Sequence, residues 1–383
     1  MKKILVVHNK YRNLGGEDIA VANEVTLLKQ YFKVEELYFE NTIKNPIKQF
    51  IYFLINRNIE SKNILSKAIE NFQPDVIYIH NTWFKASISV LEKSIESKAE
   101  VVLKVHNFRY FCTKSYTTAN HFKENDNCHA CGLNQESMGS LNKYFQESFI
   151  KSLLVSRYGK KYFNILKNGD IKIAVLTNFH KNFMEKLGIP DHKIYVFPNY
   201  INQDNNKALS SNKENYLVYA GRISKEKGVD NLIQEFLSIE ENNFNLKIIG
   251  EGPLKKQLIN KYDSDKIEFI DLMENSKVLN LISNSKGIVT ATKLYEGQPT
   301  LLCEASSLGV PSIFPMTGGI LEFFPKNYQL GFEQFNYFDL RNKIKELIFY
   351  KSDPQLGQEN KEYINEYLDK NNLILKFKEM TNL

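Results

Sequence analysis

Short apolar segments with strand composition alternate with segments of helical periodicity along the whole chain. The first strand candidate is "KILVVHN", and Val21, Val25, Leu28 and Phe32 follow it at helical spacing. Ten further segments are typical of strands, five in each half: "VEELYF", "DVIYIH", "EVVLKVH", "KIAVLT", "KIYVFP", "YLVYAG", "LKIIG", "IEFI", "GIVTA" and "SIFP". Strands separated by helices predict an α/β fold with parallel, doubly wound sheets.

One polar stretch, rich in Asn and Ser, interrupts this alternation at residues 199–215. We interpret it as a linker between two Rossmann-like doubly wound domains, at residues 1–198 and 216–360. In such sheets ligands bind beyond the carboxyl ends of the strands. We therefore expect the two domains to face each other across a cleft that holds the active site.

Composition excludes several classes of protein. The 383 residues are 43% hydrophobic and 25% charged, as in an ordinary globular protein. The longest apolar run, Phe50–Ile55, is far below the ~18 residues that span a bilayer. The apolar run before His8, Ile4–Val7, has four residues, too few for a signal-peptide core. The four cysteines fit a reducing compartment, so we expect a cytoplasmic protein.

Charge is distributed unevenly between the two halves. Residues 1–200 contain 28 Lys/Arg against 19 Asp/Glu, whereas the remainder contains 22 against 25. The basic half is expected to face an anionic partner.

The segment from Gly297 to Leu321 contains a single charged side chain, that of Glu304, where average composition would give about six. This pattern predicts a buried segment. Burying a carboxylate costs free energy unless it is hydrogen-bonded. A second carboxylate, Glu296, lies eight positions earlier. Pro299 between them suits the first turn of a helix, whose free N–H groups form an anion site. A diphosphate could bind there, and sugar hydroxyls would supply the donors that the carboxylates need.

Together these motifs resemble the retaining family 4 (group 1) glycosyltransferases, which have the GT-B fold. That family has two glutamates with seven residues between them, and an arginine followed five residues later by a lysine. The corresponding residues here are Glu296, Glu304, Arg222 and Lys227. Further matching segments are "YAGRISKEKGVDNLIQEF", "IIGEGP", "FPN" and "MTGGILEF", and "NLGGEDIAVANEVTLL" and "KVHNFRYFC" resemble the branch that builds bacterial surface polysaccharides. The resemblance implies that residues 361–383 form a helix crossing back to the first domain.

The resemblance also implies roles for individual residues. Arg222 and Lys227 would hold the donor diphosphate as it leaves, so that catalysis needs no metal or other cofactor. Glu304 would accept hydrogen bonds from the ribose, and Glu296 from the transferred sugar. Three His-Asn pairs end strands of the first half, and His106 corresponds to a family histidine near that sugar. The predicted donor site also includes Gly15, Gly16, Gly297, Gln298, Pro299 and Thr300.

The function implied is transfer of a sugar, with retention of anomeric configuration, from a UDP- or GDP-linked donor. The acceptor would be a glycan or a polyprenyl-diphosphate-linked glycan in capsule, O-antigen or exopolysaccharide synthesis, and nucleic acid is not expected as a partner. Two alternatives stay open: a nucleotide-sugar epimerase of the same fold, and a catalytically silent sugar-nucleotide or glycan-binding protein.

Residues 144–166 mix apolar and basic side chains in a helical pattern. Such a segment can lie on an anionic membrane at the inner face of the cell membrane. The alternative is a helix packed on its own domain with a solvated basic edge.

Cys112, Cys128 and Cys131 have spacings that indicate a structural zinc site. His121 or His129 would complete four ligands. The alternative is an unligated loop with free thiols.

Overall fold

A computed structural model describes residues 1–10, 15–41, 45–106, 149–202, 213–240, 243–349 and 354–383. The chain forms two compact units. The first unit comprises Met1–Tyr200 and Asp369–Leu383, and the second comprises Ile201–Leu368.

The first unit is built on a six-stranded parallel sheet in the order β2-β1-β3-β4-β5-β6. Its strands are β1 Lys3–Lys10, β2 Lys33–Glu40, β3 Val76–Ile79, β4 Glu100–Val105, β5 Lys172–Val175 and β6 Ile194–Val196. Its helices up to this point are α1 Gly16–Leu28, α2 Pro46–Ile55, α3 Ile59–Phe72, α4 Ser87–Ile95, α5 Phe149–Asn168 and α6 Asn178–Lys186. The strand order reverses between β1 and β3, which makes the carboxyl ends of these two strands the expected ligand position.

The second unit has the same architecture, with the strand order β12-β11-β10-β7-β8-β9. Its strands are β7 Tyr216–Ala220, β8 Asn245–Ile249, β9 Ile267–Ile270, β10 Gly287–Val289, β11 Ser312–Pro315 and β12 Gly331–Phe332. Its helices are α7 Val229–Leu237, α8 Lys255–Lys261, α9 Asn275–Asn284, α10 Thr300–Ser307, α11 Tyr337–Phe349 and α12 Pro354–Tyr367. The order reverses between β7 and β10, so this unit also has a defined ligand position.

The α/β fold class with two doubly wound sheets is thus confirmed, and all eleven predicted strands are present. The additional strand, β12, is two residues long, too short to produce a periodic pattern. Apolar clusters pack the sheets. Residues from α7 and α11 cover one face of the second sheet, while residues from α10 and α12 cover the other.

The C-terminal segment forms two helices where the sequence pattern predicts one. Helix α12 ends at Tyr367, and α13, Lys370–Thr381, follows. Asp369 starts the new helix, because its side chain accepts hydrogen bonds from the N–H groups of Asn371 and Asn372, both at 3.0 Å. The return to the first unit comes at Asp369, eight residues after the predicted position of 361.

Helix α13 is an integral part of the first unit. The Phe377 ring lies 5.7 Å from Phe32, 5.4 Å from Tyr78 and 5.8 Å from Phe197, centroid to centroid. Leu373, Ile374 and Met380 join the same buried cluster. Helix α13 therefore completes the core of a unit whose six strands all come from residues 1–200.

Candidate functional site

A pocket of about 200 Å³ lies in the second unit at the point where the strand order reverses. The carboxyl ends of β7 and β10 form its floor, through Ala220 and Val289. The wall comes from the loop after β10 and the start of α10. Its other lining residues are Lys227, Ile288, Thr290, Thr292, Glu296, Gln298, Pro299, Thr300, Leu301, Leu302 and Ile320.

One ion pair occupies the polar side of this pocket. Lys227 Nζ lies 2.6 Å from Glu296 Oε1, and Thr292 Oγ1 donates to the same oxygen at 2.8 Å. The two charged side chains are 29% and 27% exposed, so water and small ligands reach both. A cation and a carboxylate are thus available to an entering molecule at one point of the pocket.

The turn that carries Lys227 is fixed to the loop after β10. A single 3₁₀ turn, Lys225–Lys227, ends at Gly228, which has φ of 67°. A Cβ at Gly228 would lie 2.0 Å from the carbonyl oxygen of Ala291, so only glycine permits this approach. The N–H of Lys293 also donates to the carbonyl of Glu226 at 2.9 Å. These contacts hold Lys227 over the pocket.

Glu296 is positioned by the glycine pair of "MTGG". The N–H of Gly319 donates to the carbonyl oxygen of Glu296 at 2.8 Å. Gly318 has φ of 59°, and a Cβ there would lie 2.3 Å from the same oxygen. Gly318 therefore packs against the backbone of Glu296, which explains this glycine without any ligand.

Gly318→Ala should destabilise the protein by about 1–3 kcal/mol, because the new methyl group combines a left-handed backbone with a clash against backbone atoms. Chemical denaturation measures this change. The matched control is Gly16→Ala, since a Cβ at Gly16 would meet nothing within 4 Å. Equal stability of the two variants would contradict the assigned packing of the turn.

The start of α10 offers backbone donors to the pocket. The sequence predicts Pro299 in the first turn of this helix. In the structure the helix begins at Thr300, and Pro299 is the residue before it. The N–H of Thr300 donates to Gln298 O at 3.0 Å, and that of Cys303 to Pro299 O at 3.0 Å. Helix geometry leaves the N–H groups of Leu301 and Leu302 without an intrahelical acceptor. Both belong to pocket-lining residues, Leu301 and Leu302.

Glu304 lies one turn further along α10, partly buried and outside the lining of the pocket. Its Oε1 accepts a hydrogen bond from Asn275 Nδ2 at 3.0 Å. Burial raises the pKa of Glu304 from 4.5 to about 7, although the bond from Asn275 acts in the opposite direction. The carboxyl is thus poised to change charge near neutral pH and has room for further hydrogen-bond donors.

A cluster of histidines lies in the first unit, where its strand order reverses. His80 Nδ1 and His106 Nε2 are 3.0 Å apart, so one nitrogen donates to the other. His8 Nε2 lies 2.8 Å from Asp18 Oδ1, and the rings of His8 and His80 are 6.2 Å apart. Burial lowers the pKa of His80 and of His106, and nearby Lys104 contributes to both shifts. These two imidazoles are therefore neutral at physiological pH.

A buried ion pair lies next to this histidine cluster. Lys104 of β4 and Glu24 of α1 are both buried and form a short salt bridge. Tyr78 donates to the other oxygen of Glu24 at 2.9 Å, and the ammonium of Lys104 lies 4.6 Å from the centre of the Phe197 ring. His80 Nε2 lies 4.0 Å from Glu24, so the carboxylate reaches the histidine cluster.

The asparagines of the first two His-Asn pairs have structural roles. Asn9 Oδ1 accepts from the N–H of Ala86 at 2.9 Å, and Asn81 Oδ1 accepts from that of Trp83 at 2.9 Å. Asn81 Nδ2 also donates to the carbonyl of Asn9 at 3.0 Å. The pairs therefore brace the loops after β1 and β3.

Gly15 and Gly16 begin α1 beside these histidines. The N–H of Gly15 donates to Asp18 Oδ2 at 2.8 Å, and the other oxygen of Asp18 faces His8. Asp18 thus links the start of the helix to the histidine cluster. The open space around Gly16 means that packing within the described part of the chain does not require a glycine there.

Residues 201–367 match the family model described as "Glycosyl transferases group 1". This matched region is less than half of the chain. The two glutamates, Lys227 and the glycine pair all fall inside it.

Three curated proteins similar to this chain are described as glycosyltransferases. An uncharacterized glycosyltransferase of Methanocaldococcus jannaschii is 25% identical over 94% of this chain and 93% of its own. The amylovoran biosynthesis glycosyltransferase AmsD of Erwinia amylovora is 26% identical over 37% of this chain and 42% of its own. The capsular polysaccharide biosynthesis glycosyltransferase CapM of Staphylococcus aureus is 27% identical over 46% of each chain. The matches to AmsD and CapM thus span less than half of those proteins.

Solved structures show the fold. Sucrose-phosphate synthase from Thermosynechococcus elongatus has a TM-score of 0.69 at 14% identity, covering 99% of this chain and 98% of its own. HepE of Anabaena, in complex with UDP and glucose, has a TM-score of 0.69 at 13% identity, covering 99% of both chains. The prediction of GT-B architecture, with two Rossmann-like units, is confirmed.

The matched region brings together five of the predicted donor-site residues in one pocket: Lys227, Glu296, Gln298, Pro299 and Thr300. Arg222 is exposed in the turn after β7. Neither Arg222 nor Gly297 lines the pocket. Sequence reasoning missed Thr292 and Asn275. Neither residue belongs to a recognisable sequence motif. Their roles become visible only through their hydrogen bonds, from Thr292 to Glu296 and from Asn275 to Glu304.

Several predictions concern other parts of the chain. The zinc ligands proposed at Cys112, Cys128 and Cys131 lie outside the described residues, and so do Asn107 and residues 144–148. Within the described ranges, no group of three His, Cys, Asp or Glu side chains is arranged to hold a metal. Cys303 is buried behind Glu304, and burial raises the pKa of its thiol. Among the helices that the structure describes, none has the length and hydropathy to cross a membrane.

Proposed function

We propose that this protein is a retaining glycosyltransferase that transfers a sugar from a nucleoside-diphosphate donor to a glycan acceptor during surface polysaccharide synthesis. The pocket between β7 and β10 carries this proposal, because it combines a cation, a carboxylate and free helix N–H groups. The relatives named for amylovoran and capsular polysaccharide synthesis support the choice of pathway. The Anabaena relative solved with UDP and glucose supports a nucleotide-sugar donor.

The diphosphate is proposed to bind at the start of α10. The N–H groups of Leu301 and Leu302 face an anion with the positive end of the helix dipole behind them. Lys227 would turn from Glu296 to the diphosphate, which releases Glu296 to accept hydrogen bonds from the sugar. The ion pair of the ligand-free pocket is thus replaced by two new pairs, one for each part of the donor.

The remaining donor contacts follow the same chemistry. Glu304, as a carboxylate, would accept from the ribose hydroxyls while Asn275 holds its other side. Arg222, exposed beside the pocket turn, would close on the diphosphate as a second cation. We assign His106 to the transferred sugar, and Gly15 and Gly16 to donor binding, on the family resemblance.

The reaction is proposed to proceed on one face of the sugar. The bond between the anomeric carbon and the diphosphate oxygen breaks, and the acceptor oxygen bonds to the same face of that carbon. The acceptor proton passes to the leaving phosphate oxygen, so no protein nucleophile is required. Lys227 and Arg222 stabilise the negative charge of the leaving group, which is why we propose that no metal is needed.

The acceptor is proposed to be a glycan or a polyprenyl-diphosphate-linked glycan at the cytoplasmic face of the cell membrane. A structural zinc at the three cysteines of the first half stays a prediction. Transfer should not require added Mg²⁺ or Mn²⁺ if our assignment of the two cations is correct.

The test begins with UDP- and GDP-linked sugars as ligands in thermal unfolding. A donor that binds only the native protein at 100 times its Kd adds about 2.7 kcal/mol to stability. The stabilising donor is then incubated with candidate acceptors, and nucleoside diphosphate release is measured. Acceptor-dependent release with a retained anomer supports the proposal. Sugar product without acceptor would indicate an epimerase, and binding without turnover a silent binding protein.

A further inference from the structure

Helix α2 presents an apolar stripe to solvent. Ile47, Phe50, Ile51 and Ile55 are 74%, 50%, 48% and 52% exposed. Their spacing of i, i+3, i+4 and i+8 places all four on one face of the helix. Such a stripe in a water-soluble unit normally faces the core, and a contiguous exposed one marks an interaction surface.

The orientation of α2 is set by its other face. Gln49 and Tyr52 point into the unit, where they line a small cavity with Asn56, Phe84 and Tyr158. The helix therefore packs through its more polar side. Rotating it to bury the stripe would remove these contacts, so the described structure holds the apolar side outward.

The chain around this stripe is basic. Residues 44–67 contain five Lys/Arg and a single acidic residue, Glu60, and α2 itself has no acidic side chain. Arg57, in the turn after α2, is exposed. Lys48 pairs with Glu60, which ties α2 to the start of α3. The first unit as a whole contains 31 Lys/Arg against 21 Asp/Glu.

We propose that the α2 stripe docks this protein on an anionic lipid surface. The apolar side chains would enter the boundary between headgroups and acyl chains, while the flanking cations meet lipid phosphates. Charge favours lipid over a second copy of the chain, because a symmetric contact would oppose one basic surface to another. The inference does not depend on the transfer reaction.

This surface differs from the segment predicted from sequence, residues 144–166. In the described part of α5, Leu154, Tyr158 and Tyr162 are buried in the first unit, and Lys161 pairs with Glu92 at 2.7 Å. That part of the segment is thus the packed helix of the alternative interpretation. Leu154, Tyr158 and Tyr162 are therefore not available to a membrane.

The test is sedimentation of the full chain with lipid vesicles. Wild-type protein should bind vesicles with about one quarter phosphatidylglycerol and bind pure phosphatidylcholine more weakly. The double variant Phe50→Ser/Ile51→Asn should lose at least about tenfold in partition coefficient. Arg57→Gln should lose about fivefold on the anionic vesicles, since each basic residue near the surface contributes about that factor.

Phe338→Ser is the matched control, because Phe338 is 67% exposed on α11 of the second unit. It should bind vesicles as wild type does, and all variants should keep the wild-type melting temperature. A tryptophan at the stripe locates the contact: Phe50→Trp should be quenched by brominated lipid well beyond wild type, whose one tryptophan is Trp83.

Three results would overturn the inference. They are no binding of wild type to anionic vesicles, equal binding by the double variant, or quenching of Phe50→Trp no greater than that of wild type. Self-association that the double variant abolishes would assign the stripe to a second copy instead. Nucleoside diphosphate release with a lipid-free acceptor is measured in parallel, and it should be unchanged in the double variant. Failure of membrane docking is therefore distinguishable from failure of the proposed reaction.

Discussion

Lys227→Ala is expected to lower kcat/KM for sugar transfer by about 10²–10³. The ammonium lies at the pocket, 2.6 Å from Glu296, and Lys227 is the one basic residue among those that line the pocket. Its charge matters most when the diphosphate leaves, because that is when negative charge accumulates on the phosphate oxygens. Nucleoside diphosphate release at varied donor concentration measures the loss.

The fold should survive this substitution. Both side chains of the Lys227–Glu296 pair are more than a quarter exposed, so the pair contributes less than about 1 kcal/mol to stability. Glu296 also keeps the hydrogen bond from Thr292. The melting temperature should therefore change little while activity falls.

Lys225→Ala is the control for the charge itself. Lys225 lies on the same 3₁₀ turn but is exposed and outside the pocket lining. It should retain activity close to wild type, and Lys227→Arg should recover part of the loss. If Lys227→Ala transfers sugar as fast as Lys225→Ala, the proposed role of the cation is wrong.

Glu304→Gln should weaken donor binding by at least about tenfold above pH 7, because an ionised acceptor makes the stronger hydrogen bonds to hydroxyl donors. The wild-type affinity should depend on pH. With a pKa of about 7, the carboxyl is mostly protonated below that pH and mostly ionised above it. Donor affinity of wild type should thus rise as pH increases through 7, and that of Glu304→Gln should stay flat. Calorimetric titration at several pH values measures both.

The same pKa predicts an opposite effect on stability. In the ligand-free protein the folded state holds the Glu304 proton up to about pH 7, whereas the unfolded state loses it near 4.5. The contribution of this group to the free energy of unfolding is therefore largest below pH 4.5 and is lost as pH rises through 7. Glu304→Gln should be more stable than wild type at pH 8, by up to about 2 kcal/mol after allowance for partial exposure.

A matched substitution separates this effect from a general loss of charge. Glu346→Gln removes a carboxylate on α11 that is 38% exposed and that pairs only with Lys343 among the contacts described for it. It should change neither donor affinity nor the pH dependence of stability. A Glu304→Gln variant that binds donor like Glu346→Gln would show that Glu304 does not contact the nucleotide.

Local patterns in the sequence were sufficient for the fold. A strand or an amphipathic helix repeats its apolar positions every two or every 3.6 residues, so "KILVVHN" or "SIFP" indicates its element without knowledge of any partner. The segment around Glu304, which contains no other charge, likewise predicted a buried carboxylate, and the structure places Glu304 partly buried on α10 beside Asn275. The boundaries of the C-terminal helices were less accurate, since a single capping side chain, Asp369, divides them.

The sequence alone thus determined the α/β class, the two-unit organisation and the segments from which a donor site is built. Only the tertiary structure decided which side chains meet. Lys227 reaches Glu296 across 69 residues because β7 and β10 are neighbours in the sheet, and strand order is not encoded in any local period. The outward face of α2 was likewise decided by packing, since an amphipathic pattern defines two faces of a helix but not which one the rest of the unit covers.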